Sequence, residues 1–356
     1  MPNSNKTVWW IAGIVIIIAI VIIATRGGDR ETGPIRIGVI IPLSGNLAFL
    51  GEPAKQAAEF ALENFKDTKH KYEFIFEDDQ FSAEKAVTAA NKLISIDKVD
   101  AIISFGSSGG NAVNPLAEKN KVIHFAVASD PKVADGTYNF NHWTPPSEEV
   151  RVLIAELQRR SIKKIGVLTA NQGGMLAITQ EIKKQIIGTD IQITTEQVFN
   201  IGEKDYRSLI LKIKQNLPDI FVMVSFTPEL EILGKQMIDA GIKTPMTSVE
   251  GFDQTSQPEL FDGYWYASAS DPSGEFVKSF QDKFGKNPAF GTGNAYDIVS
   301  LLVTAYENTD SAQTPNEVVN QLLNIKGFKG AMGDLSIGND GLVLSTATIK
   351  TVKVAK

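Results

Sequence analysis

The chain has 356 residues, a net charge of −6 and a pI near 5.3, with 43% apolar and 21% charged residues. That length exceeds one ordinary core and suits two domains, and the composition is that of a globular protein, not a disordered one. The lack of cysteine excludes disulfides, thiol nucleophiles, thiolate metal sites and cysteine-linked lipid anchors, and no basic stripe offers itself to nucleic acid.

Residues 1–25 read as a membrane segment. Val8 to Ala24 is uncharged, and with Thr7 and Thr25 it makes 19 residues, about 28 Å as a helix and close to a bilayer core. Trp9 and Trp10 fall at one edge, where aromatic rings prefer the interface. Lys6 supplies a thin positive region that a cleavable signal peptide would share, but Ile22-Ile23-Ala24 is a poor cleavage site, so a retained anchor is the expectation. Lys6 on one side and Arg26 and Arg30 on the other barely choose an orientation. Asn5-Lys6-Thr7 matches a glycosylation sequon but lies beside the membrane segment, where it is read as a chance match. Residues 26–34 are short, polar and Gly-containing and read as a linker.

From Ile35 the pattern alternates. Ile35 to Ile41 is a β-branched apolar run suited to a strand buried in a parallel sheet. Pro42-Leu43-Ser44-Gly45 breaks it, and Ala54, Ala57, Ala58, Ala61, Leu62 and Phe65 then recur at helical spacing, with Gly51 and Glu52 at the expected helix start. Loops at the carboxyl ends of parallel strands are where open α/β sheets bind ligands. Further strands are predicted over Tyr72–Glu77, Val99–Ser104, Val122–Val127, Lys164–Thr169, Gln192–Phe199, Ile220–Ser225 and Tyr264–Ala269. Amphipathic helices are marked by Ala86, Val87, Ala89, Ala90, Leu93 and Ile94, and by Val150, Leu153, Ile154 and Leu157. This is the α/β pattern with parallel sheets. Pro145-Pro146 reads as a crossing between two domains, with Asp271-Pro272 and Gly330 to Gly333 as later crossings that make both domains discontinuous.

The run Ile37-Gly-Val-Ile-Ile-Pro-Leu-Ser-Gly45, with Leu50-Gly51-Glu52, Glu77-Asp78-Asp79-Gln80 before Ala86-Val87-Thr88-Ala89-Ala90, and Val249-Glu250-Gly251-Phe252, resembles the periplasmic substrate-binding proteins of the leucine/isoleucine/valine type. Val99 to Ile103, Tyr296-Asp297, Phe328-Lys329-Gly330 and Asn339-Asp340-Gly341 fit as well, and the likeness covers about Ile35 to Val354. It implies a two-lobed type I periplasmic binding fold of two parallel-sheet, Rossmann-like lobes joined by hinge strands, preceded here by the transmembrane helix. Lobe 1 would take 35–144 and 271–330, and lobe 2 would take 145–270 and 331–356. The implied protein is not an enzyme. It is held at the cell membrane with its lobes outside the cytoplasm, where it captures an amino acid and delivers it to an ABC transporter permease, with no cofactor, metal or nucleic acid.

Carried over position by position, the resemblance places ligand-carboxylate contacts at Ser107 or Ser108 in Gly106-Ser-Ser-Gly-Gly110 and at Val127, Ala128 and Ser129. Helix amino termini after strands are ready anion sites, although a Gly/Ser strand-to-helix turn is also an ordinary structural device. Glu250, before Gly251, would pair with a ligand ammonium, and Leu50 and Phe226 would line the side-chain pocket, with core packing the alternative for both. The second lobe's usual Tyr-Gly-Gly-like turn stands here as Asn171-Gln172-Gly173-Gly174, without the tyrosine. Asp130 before Pro131 is read as a turn cap in preference to a contact for a cationic ligand.

Other chemistry is scarce. His70, His124 and His142 lack metal-ligand spacing, and His124 alternates within an apolar strand as a structural histidine does. Glu77-Asp78-Asp79 reads as loop and capping carboxylates, and Gly106 to Gly110 is neither a dinucleotide fingerprint nor a phosphate loop. An amino-acid, amide or small-carboxylate sensor ectodomain acting with a partner protein is the alternative function. An enzyme on the same scaffold is disfavoured because no catalytic constellation is visible.

Overall fold

The computed structural model describes residues 33–45, 47–309 and 314–354. The expected membrane segment lies outside these, and among the described residues no helix is long and apolar enough to cross a membrane.

In the first lobe, strands β1 (Ile35–Ile41), β2 (Tyr72–Asp78), β3 (Ala101–Phe105), β4 (Ile123–Val127) and β5 (Asn139–Asn141) form one parallel sheet in the order β2-β1-β3-β4-β5. The inner strands β1, β3 and β4 are buried almost throughout, which is why they read as continuous apolar runs. The second lobe repeats the plan with β6 (Lys164–Ala170), β7 (Gln192–Phe199), β8 (Ile220–Val224) and β9 (Met246–Ser248), parallel in the order β7-β6-β8-β9. Each sheet has its own apolar core, one built on Ile37, Phe125 and Leu301 and the other on Val167, Phe221 and Leu233.

The remaining strands sort the carboxyl-terminal segment between lobes. β10 (Trp265–Ala269) pairs antiparallel with β14 (Ala347–Thr351), and Val249 bridges to Ala267 beside them. β11 (Phe328–Gly330), β12 (Gly333–Ile337) and β13 (Val343–Leu344) form an antiparallel set whose Ala331, Leu335, Ile337 and Val343 pack in the first core. The expected crossing at Gly330 to Gly333 is therefore a turn within the first lobe. It is pinned there by the buried Asp297, which accepts from the Ala331 and Met332 N–H groups at 2.5 and 2.9 Å. The passage to the second lobe comes later, at Ser345 and Thr346. There the Thr144 hydroxyl bonds the Ser345 hydroxyl at 3.0 Å, and the Ser270 N–H donates to the Thr346 carbonyl at 2.9 Å. The three connections thus run side by side as a hinge. The chain boundary at 330/331 moves to about residue 345 because apolar side chains, not glycines, decide which lobe a segment joins.

The helix after β1 runs Ala48–Glu63, so Gly51 and Glu52 lie inside it and not at its start. The reason is close packing. A Cβ at Gly51 would sit 2.0 Å from the Pro42 carbonyl oxygen, so only glycine lets this turn lie against the loop after β1. Asp78 secures the same loop by accepting from the Leu43 and Ser44 N–H groups.

Candidate functional site

Loops at the carboxyl ends of first-lobe strands face the second lobe. After β3, Gly106 takes φ +84°, and its N–H donates to the Val127 carbonyl at 2.9 Å. The helix Ser107–Asn120 starts at once, leaving the first-turn N–H groups without partners in the helix. Ser107 is buried, and its hydroxyl oxygen accepts from the Asp130 N–H at 3.1 Å, so its own hydrogen remains free to donate into the cleft. Ser108 is turned aside and does not line the cleft.

After β4, Val127, Ala128 and Ser129 all border the cleft. The Ala128 backbone is already committed, since its N–H donates to Asn141 Oδ1 at 3.1 Å and its carbonyl accepts from Asn141 Nδ2 at 2.7 Å. The polar contribution of this loop therefore falls to Ser129. Asp130 caps the Pro131–Val133 turn by accepting from the Lys132 N–H and also accepts from Asn111, as expected of a turn residue. His124 lies one layer below, bonded to Ser104 and Asn139, and burial pushes its pKa down to about 4, so it is a neutral structural histidine.

The second lobe contributes Glu250, Phe226, Gln172 and Met175. Glu250 has φ +60°, ψ −42°, a costly backbone state for a side chain with a Cβ, held by its N–H donating to the Ala267 carbonyl at 2.9 Å. Gly251 must follow, because a Cβ there would lie 2.2 Å from the Ser225 carbonyl oxygen. The Glu250 carboxylate is 1% exposed and reaches across the cleft. It accepts from the Ser129 hydroxyl at 2.7 Å and from the Trp143 indole N–H at 2.5 Å. Burial raises its pKa above the ordinary glutamate value, and hydrogen bonds from Glu149, Ser129 and Trp143 oppose that rise.

The cavity left between the lobes is small, about 60 Å³, and residues of both lobes line it. Leu50 lies on the first-lobe wall, and Phe81 meets Phe226 edge-on across the opening with ring centroids 6.2 Å apart. Trp143 and Phe290, 4.6 Å apart, close the inner end. The structure thus gathers Leu50, Ser107, Val127, Ala128, Ser129, Phe226 and Glu250 around one cleft and leaves out Ser108. Sequence reasoning passed over Trp143, although it lies two residues past β5, at the carboxyl end of a strand, the signal that marks such residues. It also passed over Glu149, whose position on an amphipathic helix looks like any solvated face. Gln172 stands at the turn that lacks tyrosine, where its side-chain oxygen accepts from the Gly174 and Met175 N–H groups.

Among the described residues no cluster of His, Asp or Glu has the arrangement to hold a metal ion. The site joins polar and apolar walls from the two lobes. Residues 34–355 match the family described as periplasmic binding protein. The chain belongs to that family. Its fold is a non-enzymatic ligand-binding one, of α/β type I with parallel sheets.

Among curated relatives of this family member, Leu/Ile/Val-binding protein homolog 2 of Brucella abortus (strain 2308) is 25% identical over 332 residues, covering 88% of this chain and 89% of that one. The solved leucine binding protein LivK of Thermotoga maritima MSB8 superposes with a TM-score of 0.82 at 22% identity, covering 90% of this chain and 95% of that one. An ABC transporter solute binding protein of R. palustris, solved in complex with benzoate, superposes with a TM-score of 0.81 at 17% identity, covering 91% and 94%. Both structures share the fold, and their ligands differ.

Proposed function

We propose that this protein is an extracytoplasmic solute-binding protein that captures a small apolar α-amino acid by lobe closure and delivers it to an ABC importer. One observation carries the ligand class: a buried carboxylate, Glu250, held by the Ser129 hydroxyl, faces the Ser107 hydroxyl and the open N–H groups at the start of the Ser107–Asn120 helix. A carboxylate facing a neutral, donor-rich cradle complements a zwitterion, since the ammonium meets Glu250 and the ligand carboxylate meets the helix start. Leu50, Phe226 and the Trp143–Phe290 wall suit an apolar side chain. The likeness to a Leu/Ile/Val-binding protein homolog and to a leucine binding protein supports the same class. A lone aromatic acid such as benzoate, as in the second neighbour, would set its charge against the buried Glu250 with no cation to relieve it.

A thermal-shift screen of the common amino acids and benzoate checks this. At a ligand concentration of 100 Kd, binding to the folded state adds about 2.7 kcal/mol of stability, so an apolar amino acid is expected to raise the melting temperature clearly. A rise with benzoate and none with any amino acid would sink the reading.

Membership of the periplasmic binding protein family supports placing the lobes outside the cytoplasm, and the apolar run Val8 to Ala24 supports an uncleaved anchor tethered through residues 26–34. Fractionation is then expected to put the protein in the membrane pellet, released by detergent and retained in high salt. A mature soluble form starting near Thr25 would show a cleaved signal peptide instead.

A further inference from the structure

We propose that Glu149 keeps its proton in the closed cleft and donates a hydrogen bond to the Glu250 carboxylate, which makes Glu149 a positioning residue for the ligand's ammonium group. This rests on the amino-acid reading above.

Glu149 sits in the first turn of the helix Pro146–Arg159, directly after the first hinge connection, and is fully buried. Both its carboxyl oxygens are enclosed, and neither has a donor within hydrogen-bond distance. The Ala269 N–H nearby offers a weak interaction only. An ionised Glu149 would therefore be a buried, unpaired charge beside a second buried carboxylate, the costliest arrangement a protein interior can hold. As the neutral acid it has one O–H to give, and Glu250 is the acceptor in contact with it. The missing donors and the neighbouring carboxylate are thus resolved by a single proton.

Among the described residues no cation takes that place. Facing Glu149 from the segment after β9 are Glu250 and Asp253. From β10, Tyr266 donates to Asp253, and from β14 the Lys350 ammonium is held between Asp253 at 3.2 Å and Asp271 at 2.6 Å. On its own helix, Glu148 pairs with Arg151 at the surface. On the packed helix Gly173–Gln185, Lys183 and Lys184 pair with Glu196 and Glu181. The helix start favours an ionised Glu149 modestly, which is less than burial beside Glu250 disfavours it. Burial first, and the Glu250 charge second, hold its pKa well above the usual glutamate range.

The consequence for binding is specific. With Ser129, Trp143 and the Glu149 acid all donating, Glu250 is fixed in one orientation and the pair carries a single negative charge, matched to one ammonium. Losing the proton would remove a donor and add a like charge that lobe closure must then desolvate.

Two measurements on the full-length protein test this. The first is the ligand-free melting temperature of wild type and Glu149→Gln from about pH 5 to about pH 8. Because the fold raises Glu149 above its ordinary value of 4.5, the folded state holds the proton more tightly than the unfolded chain, so this residue's contribution to stability is lost as pH rises. Glutamine imitates the neutral acid and does not titrate, so the variant's advantage over wild type is expected to widen steadily with pH. A margin that does not change with pH would overturn the shared proton. The second is calorimetric titration with L-leucine. Glu149→Gln, whose amide can still donate, is expected to bind close to wild type, whereas Glu149→Ala weakens binding about 10- to 100-fold. Alanine binding as tightly as wild type would overturn the positioning role. A widening pH margin with no α-amino acid bound by wild type would uphold the proton and sink the amino-acid reading, so the two ideas fail separately.

Discussion

Glu250→Ala is expected to weaken binding of an apolar α-amino acid about 30-fold to several thousand-fold, the loss of about 2–5 kcal/mol that follows truncation of one partner in a desolvated charge pair. The effect is large because Glu250 supplies the charge that the ligand ammonium needs and because it is 1% exposed, where water cannot substitute for it. The unliganded protein is expected to melt close to wild type. Removal frees the Ser129 hydroxyl and the Trp143 indole of their partner, but it also removes a buried carboxylate whose desolvation opposes folding. Calorimetry for affinity and a thermal melt for stability separate the two effects. Equal binding by the alanine variant would end the zwitterion reading. A collapsed melting temperature would mean that Glu250 is held for structure.

Gly174→Ala is expected to wedge the cleft open. Gly174 lies in the first turn of the second-lobe helix Gly173–Gln185, and a Cβ there would sit 2.7 Å from Ser107 Oγ and 2.9 Å from Ser129 Cβ, both in the first lobe. Each is closer than a side-chain carbon can approach, so the added methyl fits only when the lobes separate. Overpacking of this kind costs about 1–3 kcal/mol, which corresponds to roughly 5- to 150-fold in affinity. Within the second lobe the added methyl would meet the Gln172 cap oxygen at 3.2 Å, a mild crowding that alanine's better helix propensity of about 1 kcal/mol opposes, and the cap's backbone N–H donors stay in place. Small-angle scattering on the chain from Gly33 onward is expected to show contraction with ligand for wild type and little for Gly174→Ala. A variant that contracts and binds as wild type does would show that the lobes do not need this contact.

The polar chemistry of the cleft was partly legible for a local reason. Ser107, Ser129 and Glu250 each follow a short strand, with glycines beside Ser107 and Glu250 and Asp130-Pro131 after Ser129, so strand end and turn are visible in a few consecutive residues. Trp143 and Glu149 were not legible in this way. Their roles depend on meeting Glu250, which lies 107 residues beyond Trp143. Asp297 shows the same limit in the fold. Its capture of the Ala331 and Met332 N–H groups places the β11–β12 turn in the first lobe, against the glycines that suggested a crossing there.

By itself the sequence determined the alternation of apolar strands with amphipathic helices, and hence two parallel-sheet lobes, because periodicity is a property of neighbouring residues. It also marked the carboxyl ends of β3 and β4 as ligand-facing, since that follows from strand order and handedness in any such sheet. Only the tertiary structure decided which lobe owns residues 331–343, which of Ser107 and Ser108 faces the cleft, and that Ala128 has no free backbone N–H to offer. It alone brought Glu149 against Glu250, from helix and loop in distant stretches of chain. These outcomes depend on which buried donors find acceptors and which apolar side chains find a core, and those partners are fixed in space when the lobes pack.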